Sequence, residues 1–500
     1  MVFRADMGQL RPARAWLLRA LEFRSSTQLM IAASIWLAAL AWVRHLALPD
    51  EGRYTDIARW MAGSGDWLIP RMNGLPFIQK PPLYFWLEAA AIGTVGASPF
   101  TARFVSLASG VLICVSVFWL VRQFADEHSA RWSLAALVFN PLYFGGAQYA
   151  NFDMLIAGLV TATLALAVSA TQSTSQARTL WLCAYATAGL AVLAKGLIGI
   201  VLPGMVFVGW AVVSRRFDWL VKALSLPGLL LFAIIALPWF FLVERHYPGF
   251  ISYFFVYHHF ERYLQTGFNN THGVWFFPAV LLVGMLPWTI APLLHWRSFL
   301  QVPASSLRFL GFVWFVAVLI FFSLPPSKLV GYIFPLLPAF AIIVGPWFAT
   351  YRYRYATATI GGAICVCALL VATYVIPTGP IGLAKKLKEQ IPPDQDVVFV
   401  GQYLFDVAVI LDRKTPIYIV DDWSQRAADL PDSIRRQFTE GREFDPMSAH
   451  ALIGEQELMA MLSEGRRMWI WTRRADLIPE NLGLILVASQ GRYTVLRTRD

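Results

Sequence analysis

Charge is scarce in this 500-residue chain: Asp, Glu, Lys and Arg make up 14% of it, hydrophobic residues 57%, and the mean hydropathy is +0.54. Soluble domains carry about a quarter charged residues, so that class is excluded and the bilayer is the main solvent. Cysteine is scarcer still. The four, Cys114, Cys183, Cys365 and Cys367, all fall inside apolar runs, which excludes a disulfide framework and a cysteine metal cluster. No Gly-rich strand-to-helix turn or HExxH spacing is present, so neither a nucleotide-phosphate loop nor a zinc protease motif is available. The net charge of +10 would point to nucleic acid in a soluble protein. Here the Lys and Arg sit in short loops between apolar runs, the pattern of cytoplasmic loops, and a nucleic-acid partner is excluded.

Apolar runs long enough to cross lie near 29–48, 101–121, 131–148, 152–170, 179–194, 197–214, 223–243, 275–295, 306–323, 329–349 and 358–376. Residues 83–98 are borderline, shorter than about 17 residues and carrying Glu88. Charge decides how to treat them. If 83–98 lies in the interface, Arg122 and Arg131, then Arg178, then Arg215, Arg216 and Lys222, then Arg297 and Arg308, then Arg352 and Arg354 all fall on the cytoplasmic side. If it crosses, every one of these clusters faces outward. The expectation is a polytopic α-helical membrane protein with about 11–13 transmembrane helices. Residues 1–28, with Arg4, Arg11, Arg14, Arg19 and Arg24, form a cytoplasmic N-terminus, and 29–376 a membrane domain whose external loop and juxtamembrane helices are 49–98.

After about residue 380 the composition turns to that of a soluble domain. β-like runs at 396–400, 415–420, 467–472, 483–488 and 493–497, with a helical pattern near 455–464, predict a small external α/β domain over 380–500.

The stretch PDEGRYTDIARWMAGSGDWLIPRMNGLPFIQKPPLYFWLE, residues 49–88, interleaves charges with Trp, Tyr and Phe as headgroup-layer segments do. Asp50 and Glu51 follow the first span directly; as helix caps one acid would suffice, and two at a membrane boundary point to catalysis. Arg53 and Tyr54 of the same motif join them as substrate-binding candidates. Asp153 opens the 152–170 span and returns a third carboxylate to the same side, where capping is the plain alternative. Lys80, fixed by Pro81 and Pro82, suits a lipid phosphate, with snorkelling as its alternative. Lys195 interrupts apolar sequence, where a charge costs several kcal/mol unless it meets water or a partner. Lys328 stands at a Pro-broken helix start with Tyr332 one turn on, and Arg262 offers a planar fork for phosphate oxygens. His258, His259 and His272 are weak metal candidates, better suited to interfacial hydrogen bonding. Asn269-Asn270-Thr271 fits the glycosylation sequon without other support.

The 49–88 run, the Asp153 segment, Lys195-Gly196, HFERY and SKLVGYIFPLLPA, in that order, resemble the bacterial 4-amino-4-deoxy-L-arabinose lipid A transferases. More broadly they resemble the protein O-mannosyltransferase-like enzymes of the GT-C membrane glycosyltransferase class. The resemblance covers roughly residues 29–350. It implies an inner-membrane enzyme working at the periplasmic face on an undecaprenyl-phosphate-linked sugar donor, with lipid A, another glycolipid or a protein as acceptor. It implies Asp50 and Asp153 as the family's two loop aspartates, and Lys80, Arg262, Lys195 and Tyr332 as residues at or near the lipid phosphate. Gln79 departs from the family, which often has Glu before Lys-Pro-Pro; that Glu can contribute to a metal site, so a divalent metal stays open here.

A sugar on a polyprenyl phosphate already has a good leaving group, so cations rather than a general acid are called for. A hydroxyl acceptor would need a base, Asp50; a phosphate acceptor would not, and the aspartates would then orient the sugar or pair with its amine. A transporter or flippase of a lipid-linked sugar is the competing class, because buried charges and broken helices also mark translocation routes. The absence of a repeat between the two halves and the gathering of polar residues on one face favour the enzyme.

Overall fold

The computed structural model describes residues 25–261, 270–299, 306–375, 379–473 and 483–499. Arg262, Asn269 and residues 1–24 lie outside these, as do the side chains of His258 and His259.

Among the described residues six helices are long and apolar enough to cross a membrane: Pro99–Phe124, Phe152–Gln172, Ala177–Lys195, Leu226–His246, Val330–Phe348 and Arg354–Val375. The chain is an integral membrane protein. Phe152–Gln172 is almost wholly enclosed and forms the spine, flanked by Pro99–Phe124, Ala177–Lys195 and the Ile198–Val213 helix. Gly158 lets Pro99–Phe124 approach closely, because a Cβ there would stand 3.2 Å from the Ser109 carbonyl oxygen. Leu226–His246 and Arg354–Val375 instead leave large apolar side chains such as Ile234 (69% exposed) and Val371 (59%) uncovered, as helices facing lipid do.

Several expected spans are broken, each at an identifiable place. The 131–148 run divides into Glu127–Val138 and Pro141–Ala147, because Pro141 starts a new helix capped by Asn140, whose side chain accepts from the Leu142 amide at 3.0 Å. The 275–295 run divides into Phe276–Gly284 and Ile290–Leu294, with Pro287 unable to donate to the helical ladder between them. The 29–48 run is helical only over Ser26–Ala38. The 329–349 run starts as a 3-10 turn, Val330–Leu336, and continues as Leu337–Phe348.

Residues 83–98, expected to lie in the interface, form the short helix Leu83–Val95, packed against Asp50–Ser64 and Pro99–Phe124. Glu88 is buried there and accepts from Thr55 Oγ1 at 2.8 Å. Burial pushes its carboxyl well above the usual range, with Thr55 pulling the other way.

The C-terminal part forms one sheet. Strands β3 (Asp396–Val400), β4 (Tyr418–Val420), β5 (Leu452–Ile453), β6 (Met468–Thr472), β7 (Ile485–Gln490) and β8 (Tyr493–Arg497) run in the order β5-β4-β3-β6-β8-β7, parallel through the first four and antiparallel at β6-β8-β7. A small hairpin, β1 (Arg71–Met72) and β2 (Leu75–Pro76), lies in the first loop. β3 and β8 fall where the apolar runs placed them, and so does the Glu455–Ser463 helix; the Phe405–Leu411 and Ile434–Phe444 helices were not legible. The sheet domain is seated on the first loop. Asn73 exchanges two hydrogen bonds with Ile417 (2.7 and 2.8 Å), Tyr403 Oη donates to the buried Asp56 at 2.9 Å, and Arg59 reaches the Arg413 carbonyl at 2.7 Å.

Candidate active site

Asp50 begins the Asp50–Ser64 helix behind Pro49; acids in the first turn suit the positive end of the helix dipole, and the helix stops at Gly65, whose φ of +72° only Gly adopts easily. Successive residues on a helix point about 100° apart. Asp50 and Glu51 therefore diverge.

Asp50 faces a cavity of about 790 Å³, its side chain 43% exposed. One carboxylate oxygen pairs with Arg53 Nη2 at 2.6 Å, and the other accepts weakly from Tyr149 Oη at 3.4 Å. Arg53 also donates to Tyr54 Oη at 3.2 Å and to Gln437 Oε1 at 2.9 Å. Burial works against the Arg53 charge, but Tyr54 and Asp50 outweigh it and hold the guanidinium charged. Burial also pushes the Tyr54 phenol up to about 12, against the pull of Arg53, so the phenol stays protonated.

Glu51 turns inward and does not line the cavity. Its oxygens accept from Arg44 (2.8 and 3.0 Å), Arg103 (2.9 and 3.0 Å) and the amides of Ala47 (2.6 Å) and Ala150 (2.9 Å). Burial opposes its ionisation, but the Arg103 and Arg44 guanidinium groups prevail and hold the carboxyl below its ordinary value. With every lone pair engaged, Glu51 fastens the first loop to two neighbouring segments, and the geometry does not carry the catalytic part expected of it.

The second charged pair arises from helix ends. Phe152–Gln172 starts behind Asn151, whose side chain accepts from the Met154 amide at 2.7 Å, and carries Asp153 in its first turn. Ala177–Lys195 runs back alongside it and ends at Lys195, where Gly196 (φ +76°) stops the helix. The start of one helix and the end of its antiparallel neighbour thus bring Asp153 and Lys195 into a direct ion pair across 42 residues. Each charge also sits at the helix end whose dipole suits it. Lys195 Nζ lies 4.5 Å from the centre of the Tyr332 ring, and a side chain at Gly331 would collide with the Asp153 carboxylate.

Lys80 and Gln79 line the same cavity, and so do Asp432 and Gln437 from the C-terminal domain. Among the described residues three acids (Asp50, Asp153, Asp432) and three cations (Arg53, Lys80, Lys195) face it. Seven residues chosen from the sequence, Asp50, Arg53, Tyr54, Lys80, Asp153, Lys195 and Tyr332, therefore share one chamber. Lys328 does not: it is 2% exposed and donates to the His272 carbonyl at 2.8 Å and to that of Pro325, lacing two loops together. His272 stacks on Phe276, ring centres 4.3 Å apart. Gln79 Nε2 donates to Glu440 at 2.5 Å, so its amide nitrogen is turned towards a carboxylate, and no group of three or more His, Cys, Asp or Glu fit to hold a metal occurs among the described residues. Those residues do not fit a divalent metal at Gln79.

Tyr149, Gln437 and Asp432 were missed from sequence. Tyr149, four residues before Asp153, could have been found by its place in the same loop. The other two come from a domain whose docking no local pattern records.

Residues 79–241 match the family described as dolichyl-phosphate-mannose-protein mannosyltransferase. The chain is 30% identical over 310 residues to the undecaprenyl phosphate-alpha-4-amino-4-deoxy-L-arabinose arabinosyl transferase of Erwinia tasmaniensis, covering 60% of this chain and 55% of that one. It is 31% identical over 316 residues to arabinosyl transferase 1 of Sodalis glossinidius, covering 61% and 55%. It thus spans little more than half the length of these curated relatives. The crystal structure of ArnT from Cupriavidus metallidurans bound to undecaprenyl phosphate superposes with a TM-score of 0.81 at 23% identity, over 94% of this chain and 97% of that one. An archaeal oligosaccharyltransferase from Archaeoglobus fulgidus superposes more loosely, at 0.51 and 12% identity over 93% and 70%. The resemblance read from the sequence is borne out, and the fold is of the GT-C type.

Proposed function

We propose that the chain, a relative of the undecaprenyl phosphate-alpha-4-amino-4-deoxy-L-arabinose arabinosyl transferases, moves a sugar from an undecaprenyl-phosphate donor to lipid A at the periplasmic face of the bacterial inner membrane. The observation that carries this is the chamber in which Asp50–Arg53 and Asp153–Lys195 face one another beside Lys80. The Lys and Arg excess in the opposite loops supports a chamber that opens outside. Its relatives' names supply the sugar and the carrier.

The donor's anomeric carbon is bonded to a phosphate oxygen. As that bond breaks, the electron pair stays on the phosphate, and fixed cations stabilise the charge that grows there. Lys80 and Lys195, which line the chamber, are the candidates for this, with Arg262 the further candidate from the sequence. The acceptor oxygen bonds to the anomeric carbon from the opposite face, with inversion. A lipid A phosphate arrives already ionised and requires no base, so Asp50 and Asp153 orient the sugar and pair with its ammonium group. With a hydroxyl acceptor Asp50 would take the proton.

Mass spectrometry of lipid A and of periplasmic glycoconjugates from cells with and without the protein tests the reading. An aminopentose on lipid A phosphate that disappears with the gene is the expected result. Lipid A and glycoconjugates unchanged by its removal would overturn it.

A further inference from the structure

The C-terminal domain does more than rest on the membrane part. Its Ile434–Phe444 helix starts behind Ser433, whose hydroxyl accepts from the Arg436 amide at 3.2 Å, and carries Gln437 and Glu440 three residues apart on one face. Gln437 lines the chamber, and Glu440 lies behind Gln79, which also lines it. Gln437 Oε1 accepts from Arg53 Nη1 at 2.9 Å, while the other arm of the same guanidinium, Nη2, holds Asp50 at 2.6 Å. Arg53 Nε is buried without a partner, so the two ends of the fork are what fix the plane of the group. One turn on, Glu440 accepts from Gln79 at 2.5 Å and from Tyr253 Oη at 2.6 Å, with Arg436 Nε at 3.0 Å on its other oxygen. Gln79 is the residue before Lys80.

We propose that Gln437 is a positioning residue: by holding one arm of Arg53 it sets the direction in which the other arm presents the Asp50 carboxylate to the sugar. The C-terminal domain is therefore a wall of the reacting chamber, and it acts on the chemistry without touching the reacting atoms. This rests on the function proposed above for Asp50, but the contact itself can be tested without it.

The test compares Gln437→Met, which keeps length and loses the acceptor, with Gln437→Glu, which keeps an acceptor for Arg53, both in the full chain in detergent. Hydrogen exchange of the Asp50–Ser64 amides is read first, and transfer kinetics from an undecaprenyl-phosphate-linked aminopentose to lipid A second. The expected result is faster exchange at the first turn of that helix and a kcat about tenfold lower in Gln437→Met, with KM held within about twofold. Gln437→Glu should restore both, and the melting temperature should match the wild type in both variants. With an active wild type, an unchanged kcat in Gln437→Met overturns the positioning role whatever the exchange shows. With a wild type that transfers nothing, the proposed function falls, and unchanged exchange then overturns the coupling of Gln437 to the helix as well.

Discussion

Asp50 and Glu51 are neighbours in sequence and belong to opposite regions of the molecule. Asp50 looks into the chamber with one firm partner, Arg53, and a side chain 43% exposed; Glu51 is wholly enclosed, with two guanidinium groups and two amides on its oxygens. The first arrangement leaves a carboxylate able to meet a substrate. The second uses all of a carboxylate's capacity on the protein itself. Asp406 adds a third environment: it is buried in the C-terminal domain with one oxygen on the Val407 amide at 3.0 Å and the other unpartnered. Burial pushes its carboxyl up to about 6, where Glu51, also buried but saturated, is held down.

The contrast is broken most heavily at Glu51. Glu51→Ala leaves Arg44 and Arg103 buried without their counter-charge and should cost about 3–5 kcal/mol of stability, read as loss of folded yield and a lower thermal midpoint in detergent. A variant as stable as the wild type would move Glu51 out of its structural part. Asp50→Asn should do the reverse: a wild-type melting temperature and expression, with transfer reduced about 10²-fold through lost orientation of the sugar, in a radiolabelled or mass-spectrometric assay. Full activity in that variant would remove the catalytic assignment. The smallest effect is expected at Asp406. Its folded pKa lies above that of the unfolded chain, so its favourable contribution is complete below the unfolded value and is lost as pH rises through about 6. Asp406→Asn should therefore gain about 1–3 kcal/mol on the wild type at pH 7.5 and nothing at pH 4, by thermal unfolding of the full chain at the two pH values.

Much of the chamber was legible because membrane topology is written in local composition. Sidedness followed from which loops hold Arg and Lys, and it brought Asp50, Lys80, Asp153 and Lys195 to one face before any geometry was known. Charge inside an apolar run was the signal that singled out Lys195; Arg103, inside Pro99–Phe124, carries the same signal and was overlooked. The breaks at Pro141 and Pro287 were also in plain view, masked by reading hydropathy over whole runs. What no local pattern could supply was direction and docking. The divergence of Asp50 from Glu51 depends on where the helix starts, and the reach of Gln437 to Arg53 spans 384 residues.

The proposed function requires the chamber and the C-terminal domain to lie outside the cytoplasm. The most direct measurement is labelling by a membrane-impermeant maleimide in intact spheroplasts, with the native cysteines replaced and a single cysteine placed at Met447→Cys, 91% exposed in the C-terminal domain, or at Arg216→Cys in an opposite loop. Labelling at 447 in intact spheroplasts, with 216 reacting only after permeabilisation, is the predicted result. The reverse pattern would contradict it and place Asp50, Asp153 and Lys195 on the cytoplasmic face.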